Sequence, residues 1–159
     1  MNKTYLLLGS NLGNSEILLS KAILQIQKEI GKVTRQSSLY ATADWGNTNQ
    51  PAFLNQVINV ETELTAQQTM GAILIIEEKM GRIRTVKNAP RTIDIDILFF
   101  NKEIIDEPDL IIPHPQIQNR RFVLAPLKEL SPRLVHPLIK KTVHNLFIHC
   151  ADTLNVKKF

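Results

Sequence analysis

Two aspartates one residue apart, Asp94 and Asp96, stand in an otherwise apolar run, TIDIDILFF at Thr92–Phe100. In a strand, alternate side chains share a face, so both carboxylates point the same way with Cα atoms about 6.6 Å apart. Hard oxygen donors at that spacing suit Mg²⁺, whose remaining coordination positions are filled by water and phosphate oxygens. The competing reading is a solvent-facing strand edge. Asp-x-Asp alone is a weak motif, and carboxylates disfavour a strand unless they are exposed, paired or metallated.

The neighbouring residues favour the metal. From Lys79 to Arg91 the chain carries Lys79, Arg82, Arg84, Lys87 and Arg91 and no acidic residue. These five charges exceed the net charge of the whole chain, +4, so the remainder is −1. The basicity is local, and cationic donors beside metal-binding carboxylates suit a polyphosphate; a solvated basic loop is the plainer alternative. Glu77 shares a helical face with Met70, Ile73 and Leu74, which fits packing, hydrogen bonding or ligand orientation, whereas Glu78 reads as surface.

A second set of residues fits a flat heterocycle. Phe53 and Asn55 flank Leu54, a spacing that presents a ring and an amide on one side, although each is a weak signal alone. The preceding loop, Ala41–Ala52, holds the single tryptophan, Trp45, suited either to stacking on a ligand or to plugging the core. His114, in IIPHP, and Arg120, Arg121 and Phe122, in NRRFVLAPL, form a polar cluster that can return to the same pocket. His136, His144 and His149 lack metal-ligand spacing with one another or with Cys150, which reads as an inert buried thiol. No glycine-rich phosphate loop of the Gly-x-x-x-x-Gly-Lys type is present.

Hydrophobic periodicity supplies the frame that must position these groups. A buried strand is expected at Thr4–Gly9, then a helix capped by Asn14 or Ser15, with Leu19, Ala22, Ile23, Ile26 and Ile30 on its apolar face and its end at Gly31. A strand over Lys32–Thr42 and another over Asn55–Thr65 follow. Thr65 and Gln68 have capping-box spacing for a second helix ending near Gly81, and the aspartate strand completes β-α-β-β-α-β. That order predicts an α+β, ferredoxin-like fold: two helices cover one side of an antiparallel sheet and the other face stays partly open. A loop and helical extension is expected beyond Asn101, with helices over Asn119–Leu130 and Leu138–Cys150 and a solvated end at Lys157, Lys158 and Phe159.

With 159 residues, 43% hydrophobic and 21% charged, the chain reads as one domain over 1–159 that needs neither disulfide nor structural metal. Its apolar runs are too short to span a membrane and its first residues do not form a signal peptide, so the expectation is a cytoplasmic monomer.

Taken together, these residues resemble the 6-hydroxymethyl-7,8-dihydropterin pyrophosphokinases of folate biosynthesis. The resemblance rests on Tyr5–Gly13, Phe53-Leu54-Asn55, Glu77 with Gly81–Arg84, the run Ala89–Leu98, and Pro113-His114 followed by Asn119–Phe122. It spans about the first 135 residues. It implies an ATP-dependent diphosphotransferase that moves pyrophosphate from MgATP to the pterin hydroxyl, with attack at the β-phosphorus and AMP as the second product. Carried over, Asp94 and Asp96 hold two Mg²⁺ ions. Arg82 and Arg91 are catalytic contacts to the phosphates, and Glu77, Arg84, His114 and Arg120 join them on the nucleotide side. Thr42, Phe53, Asn55 and Phe122 shape the pterin side. Phe53 stands where related pockets often carry tyrosine, and the Arg82–Arg91 connector is short. An RNA-binding ferredoxin-like module is disfavoured, because the aspartate strand offers no aromatic platform and repels phosphate without metal. A metal-dependent nucleotidyltransferase or phosphatase shares the aspartate pair but not the pterin-side residues. The expected partners are therefore the small molecules pterin and ATP, with no nucleic acid and no membrane.

Overall fold

The computed structural model describes residues 1–11, 14–42, 53–81 and 93–159. Its elements, in chain order, are β1 (Asn2–Ser10), α1 (Ser15–Glu29), β2 (Gly31–Gln36), β3 (Tyr40–Thr42), β4 (Phe53–Thr62), α2 (Ala66–Lys79), β5 (Asp94–Phe100), β6 (Ile105–Glu107), β7 (Leu110–Ile112), a 3-10 turn at Ile117–Asn119, α3 (Arg121–Leu130), α4 (Val143–Ile148) and β8 (Val156–Lys158). The main sheet runs β5-β1-β4-β3-β8, with β2 also paired to β4, and every pairing is antiparallel. This is the ferredoxin-like β-α-β-β-α-β arrangement expected.

Both long helices form for the reasons their sequences give. α1 buries Leu18, Leu19, Ala22, Ile23 and Ile26 along one stripe. Asn14 precedes it without a side-chain capping bond, and Ser15, the other expected cap, is the first residue of the helix, its hydroxyl donating to Ser10 Oγ at 3.1 Å. In α2 the capping box is complete: Thr65 Oγ1 accepts from the Gln68 N–H, and Gln68 Oε1 accepts from the Thr65 N–H. Gly81 then leaves the helix at φ 93°, a conformation that glycine adopts without the steric penalty of a Cβ. The stripes of both helices meet Leu6, Leu8, Ile58, Val60, Ile95 and Ile97 in one core on a single side of the sheet. Each such side chain, fully buried, stabilises the fold by about 2 kcal/mol before conformational entropy is subtracted.

The opposite side is more covered than the sequence suggests. Leu7, Val57, Leu98 and Phe99 pack there against Ile117, Val123, Leu124, Leu127, Val143 and Leu146, a second core supplied by the C-terminal extension. β4 is therefore buried on both faces, which explains its weak alternation in sequence. The open part of this face narrows to a cavity beside α3.

Several boundaries differ from expectation. The strand predicted over Lys32–Thr42 is two strands, because Ser37 leaves the ladder: its N–H bonds the Val57 carbonyl and its hydroxyl accepts the Val57 N–H. Gly31 starts β2 rather than merely ending α1; a Cβ there would run into the Glu61 carbonyl of β4. β4 begins at Phe53 and ends at Thr62, whose hydroxyl bonds the Ile30 carbonyl and accepts from the Leu64 N–H. α3 starts at Arg121 rather than Asn119, after the 3-10 turn. The last helix covers only Val143–Ile148, because Leu138–Lys141 turns through Lys140 at φ 65° and Thr142 provides the cap.

The β6–β7 hairpin was not legible in the sequence. Nor is Val156–Lys158 a free tail: it pairs with β3, and the Phe159 N–H bonds the Leu39 carbonyl, although the Lys157 and Lys158 side chains remain exposed. Cys150 is half-buried against the second core. Among the described residues no helix is long and apolar enough to cross a membrane.

Candidate functional site

Sheet register brings the predicted groups into rows. Asp94 pairs with Gly9, Gly9 with Asn55, and Asn55 with Tyr40, so these four lie across neighbouring strands. The next row is Asp96, Leu7 and Val57, and Thr42 pairs with Phe53. Because side chains alternate along a strand, Asp94, Asp96 and Leu98 share the face turned toward the second core, while Ile93, Ile95 and Ile97 enter the first.

Leu7, Gly9, Thr42, Phe53, Asn55, Asp94, Asp96, Arg120, Phe122 and Leu154 line a cavity of about 260 Å³. Gly9 has a steric reason to be glycine, because a Cβ would lie 2.8 Å from the Phe53 ring and 3.0 Å from Asn55 Oδ1. Asn55 is 2% exposed, and its amide Nδ2 has no hydrogen-bond partner among the described residues. A buried donor left so costs about 1–3 kcal/mol, and a ligand carbonyl or ring nitrogen would recover it. Phe53 and Phe122 provide aromatic faces, with the Arg120 guanidinium 5.7 Å from the Phe122 ring centre.

A second cavity, also about 260 Å³, opens on the other side of Asp96, bounded by Met70, Ile97, Leu110, Ile111 and His114 among others. The His114 ring Nδ1 accepts the Gln116 N–H at 3.1 Å. Burial pushes its pKa below the ordinary value; the Asp96 charge opposes that shift and the Arg120 charge adds to it. His114 thus stands in the electrostatic reach of both Asp96, which lines both cavities, and Arg120, which lines the first.

Glu77 lines neither cavity. It is 2% exposed at the end of α2, and its Oε2 accepts the Ile95 N–H at 3.0 Å, bracing the residue between the two aspartates. Behind the first cavity, Glu129 of α3 accepts from the Tyr40 hydroxyl at 2.6 Å and the Ser38 N–H at 3.0 Å, fixing helix to sheet. Burial opposes the Glu129 charge, but the bonds from Tyr40 and Ser38 and the nearby Lys158 overcome it and hold its pKa below the usual carboxylate range. Burial and the Glu129 carboxylate push the Tyr40 hydroxyl well above its ordinary value.

Of the residues singled out in the sequence, Thr42, Phe53, Asn55, Asp94, Asp96, Arg120 and Phe122 converge on one cavity and His114 on its neighbour. Arg82, Arg84, Arg91 and Trp45 lie outside the described residues. Leu7, Gly9 and Leu154 were not anticipated; the glycine ending an apolar strand was the one available signal, and it reads equally as a turn. The half-exposed carboxylates of Asp94 and Asp96, on one face at the cavity wall, form a hard-oxygen donor pair that fits Mg²⁺ completed by water or phosphate. Among the described residues no group of three or more His, Cys, Asp or Glu is placed to hold a metal ion.

Residues 5–132 match the sequence profile described as 7,8-dihydro-6-hydroxymethylpterin-pyrophosphokinase (HPPK). The chain is 41% identical over 134 residues to the 2-amino-4-hydroxy-6-hydroxymethyldihydropteridine pyrophosphokinase of Bacillus subtilis, covering 84% of this chain and 80% of that one. With the Aquifex aeolicus protein of the same name the identity is 38% over 141 residues, covering 89% and 88%. It is also 38% identical over 148 residues to the folic acid synthesis protein fol1 of Pneumocystis carinii, covering 93% of this chain but only 20% of that larger protein. Among solved structures, wild-type Plasmodium falciparum HPPK-DHPS with pteroate superposes with a TM-score of 0.77 at 19% identity, over 92% of this chain and 44% of that one, a likeness of fold.

Proposed function

This chain belongs to the 7,8-dihydro-6-hydroxymethylpterin-pyrophosphokinase family, and we propose that it transfers the pyrophosphoryl group of ATP to the hydroxyl of 6-hydroxymethyl-7,8-dihydropterin. The hydroxyl oxygen bonds the β-phosphorus, the bond from that phosphorus to the α–β bridging oxygen breaks, AMP leaves with that oxygen, and the hydroxyl proton passes to solvent.

The observation that carries the reading is the buried Asn55 Nδ2, without a hydrogen-bond partner among the described residues, in the same cavity as the Asp94–Asp96 pair. An amide donor with Phe53 and Phe122 selects a flat, hydrogen-bonding heterocycle and orients it with its substituent toward the carboxylates. Asp94 and Asp96 would hold Mg²⁺, which when bound neutralises phosphate charge and aligns donor with acceptor. His114, in the cavity beyond Asp96, and Arg120, on the wall of the first, would be donors to the nucleotide, and the family resemblance adds Arg82, Arg84 and Arg91 to the phosphates. Glu77 acts on the site through β5. Catalysis on this account is alignment and electrostatics, with no covalent protein intermediate. On this reading the protein acts on small molecules, the pterin and ATP.

Product analysis tests this directly. Purified protein with MgATP and the hydroxymethyl pterin should give AMP and diphosphorylated pterin in equal amounts. A nucleotidylated pterin would instead mark attack at the α-phosphorus, and inorganic phosphate alone would mark hydrolysis.

A further inference from the structure

The cavity has a wall that comes from outside the family match. Leu154 lines it, whereas that match ends at residue 132. The segment leading to β8 alternates as a strand does: Asp152, Leu154 and Val156 are half-buried, and Thr153, Asn155 and Lys157 are exposed. β8 pairs Val156 with Thr42, Ala41 with Lys157 and Tyr40 with Lys158, which carries the preceding Leu154 past Thr42 to the cavity edge.

Asp152 fixes this segment with both carboxylate oxygens and its carbonyl. Its Oδ1 accepts the Leu154 N–H at 2.9 Å, its Oδ2 accepts the Arg121 N–H at 3.0 Å, and its carbonyl accepts Arg121 Nε at 3.0 Å. The preceding residue, Arg120, offers α3 no side-chain cap, so the Asp152 carboxylate takes an otherwise orphaned N–H at the positive end of the helix. That same turn carries Arg120 and Phe122, both cavity residues. One carboxylate therefore ties the backbone of Leu154 to the backbone between Arg120 and Phe122.

We propose that Leu154 is a specificity-determining wall for the heterocycle and that Asp152 is its positioning residue. The inference rests on the pterin reading above. Leu154 excludes water from one side of the bound rings, and Asp152 holds Leu154, Phe122 and Arg120 in register with it.

Steady-state kinetics of the full chain, with the pterin and MgATP varied separately, test the assignment. Leu154→Ala should raise the pterin KM about tenfold and leave kcat and the MgATP KM within about twofold, in line with the loss of apolar contact in a pocket. Leu154→Trp, which fills the cavity, should abolish pterin binding in calorimetric titration. Asp152→Ala should raise the pterin KM at least as far as Leu154→Ala, and Asp152→Asn, which keeps one acceptor oxygen, should fall between it and wild type. A tail that only anchors the fold would lower the melting temperature of these variants without separating the two KM values. That result, or wild-type pterin KM in both Leu154 variants, overturns the proposal while the wild type remains active. Wild-type protein that neither binds nor turns over the pterin overturns the functional reading itself, and this inference with it.

Discussion

Glu77 accepts the backbone N–H of Ile95 at 3.0 Å, so a buried carboxylate at the end of α2 holds the one residue that separates Asp94 from Asp96. Substituting it should act on stability first. Glu77→Ala strands the Ile95 N–H and should cost about 1–3 kcal/mol, whereas Glu77→Gln keeps an acceptor and should cost less. Urea unfolding of the two variants checks the order, and an unchanged midpoint for Glu77→Ala would refute it.

Asp94 and Asp96 are half-exposed, so removing either carboxylate should leave the fold intact and strike turnover. Asp94→Ala and Asp96→Ala should each lower kcat at least about a hundredfold, the scale of losing one preorganised electrostatic contact. Chelation of divalent cations should silence the wild type, and added Mg²⁺ should restore it. Normal metal-dependent turnover by both variants would remove the carboxylates from the site.

At Gly9 an added methyl meets the Phe53 ring and Asn55 Oδ1, two cavity-lining groups that would have to shift to admit it. Gly9→Ala should therefore weaken pterin binding by about tenfold or more while lowering stability by no more than about 1–2 kcal/mol. Calorimetric titration alongside thermal melts separates the two effects.

Asn55 presents the opposite balance. Its Nδ2 is buried without a partner among the described residues, so Asn55→Ala removes a polar group whose desolvation the fold does not recover. Stability should shift by less than about 1 kcal/mol, while pterin affinity drops about 10–100-fold because the heterocycle loses its donor. Wild-type pterin affinity in this variant would take the amide out of recognition.

His136 governs a pH dependence away from the site. It is 3% exposed, its Nδ1 accepts the Leu138 and Ile139 N–H groups at 3.2 and 3.1 Å, and burial lowers its pKa from the ordinary 6.5. The unfolded chain thus binds the proton more readily, so stability is full above pH 6.5 and declines as pH falls below it, until the lowered folded value is passed. His136→Asn, which retains an acceptor, should flatten that slope in urea midpoints measured between about pH 8 and pH 5.5. Glu129 acts in a more acidic window: its depressed pKa means that its stabilisation fades as pH falls below the ordinary 4.5.

The elements that periodicity could reveal were legible. The α2 capping box, the helical stripe of α1 and the alternation of β5 each follow from side chains that see one dominant environment. β4 was harder to bound, because burial on two faces erases alternation, and the division of β2 from β3 depends on Ser37 meeting Val57, a contact of 20 residues' separation. The site behaved similarly. Asp94 and Asp96 announce themselves by charge on an apolar strand, and Phe53 and Asn55 by spacing. Leu154 carries no local signal; it reaches the cavity only because β8 docks on β3 and Asp152 meets Arg121.

The antiparallel register of β1 also orders events in time. Leu6 pairs with Ile58 on one side and Ile97 on the other, so β1 must wait for two strands made much later in the chain before both of its edges are closed. Pairings so remote along the chain slow folding and leave β1 exposed meanwhile. Val156–Lys158 docks on β3 later still, and a nascent chain would have built its aspartate strand well before it acquired the Leu154 side of the cavity.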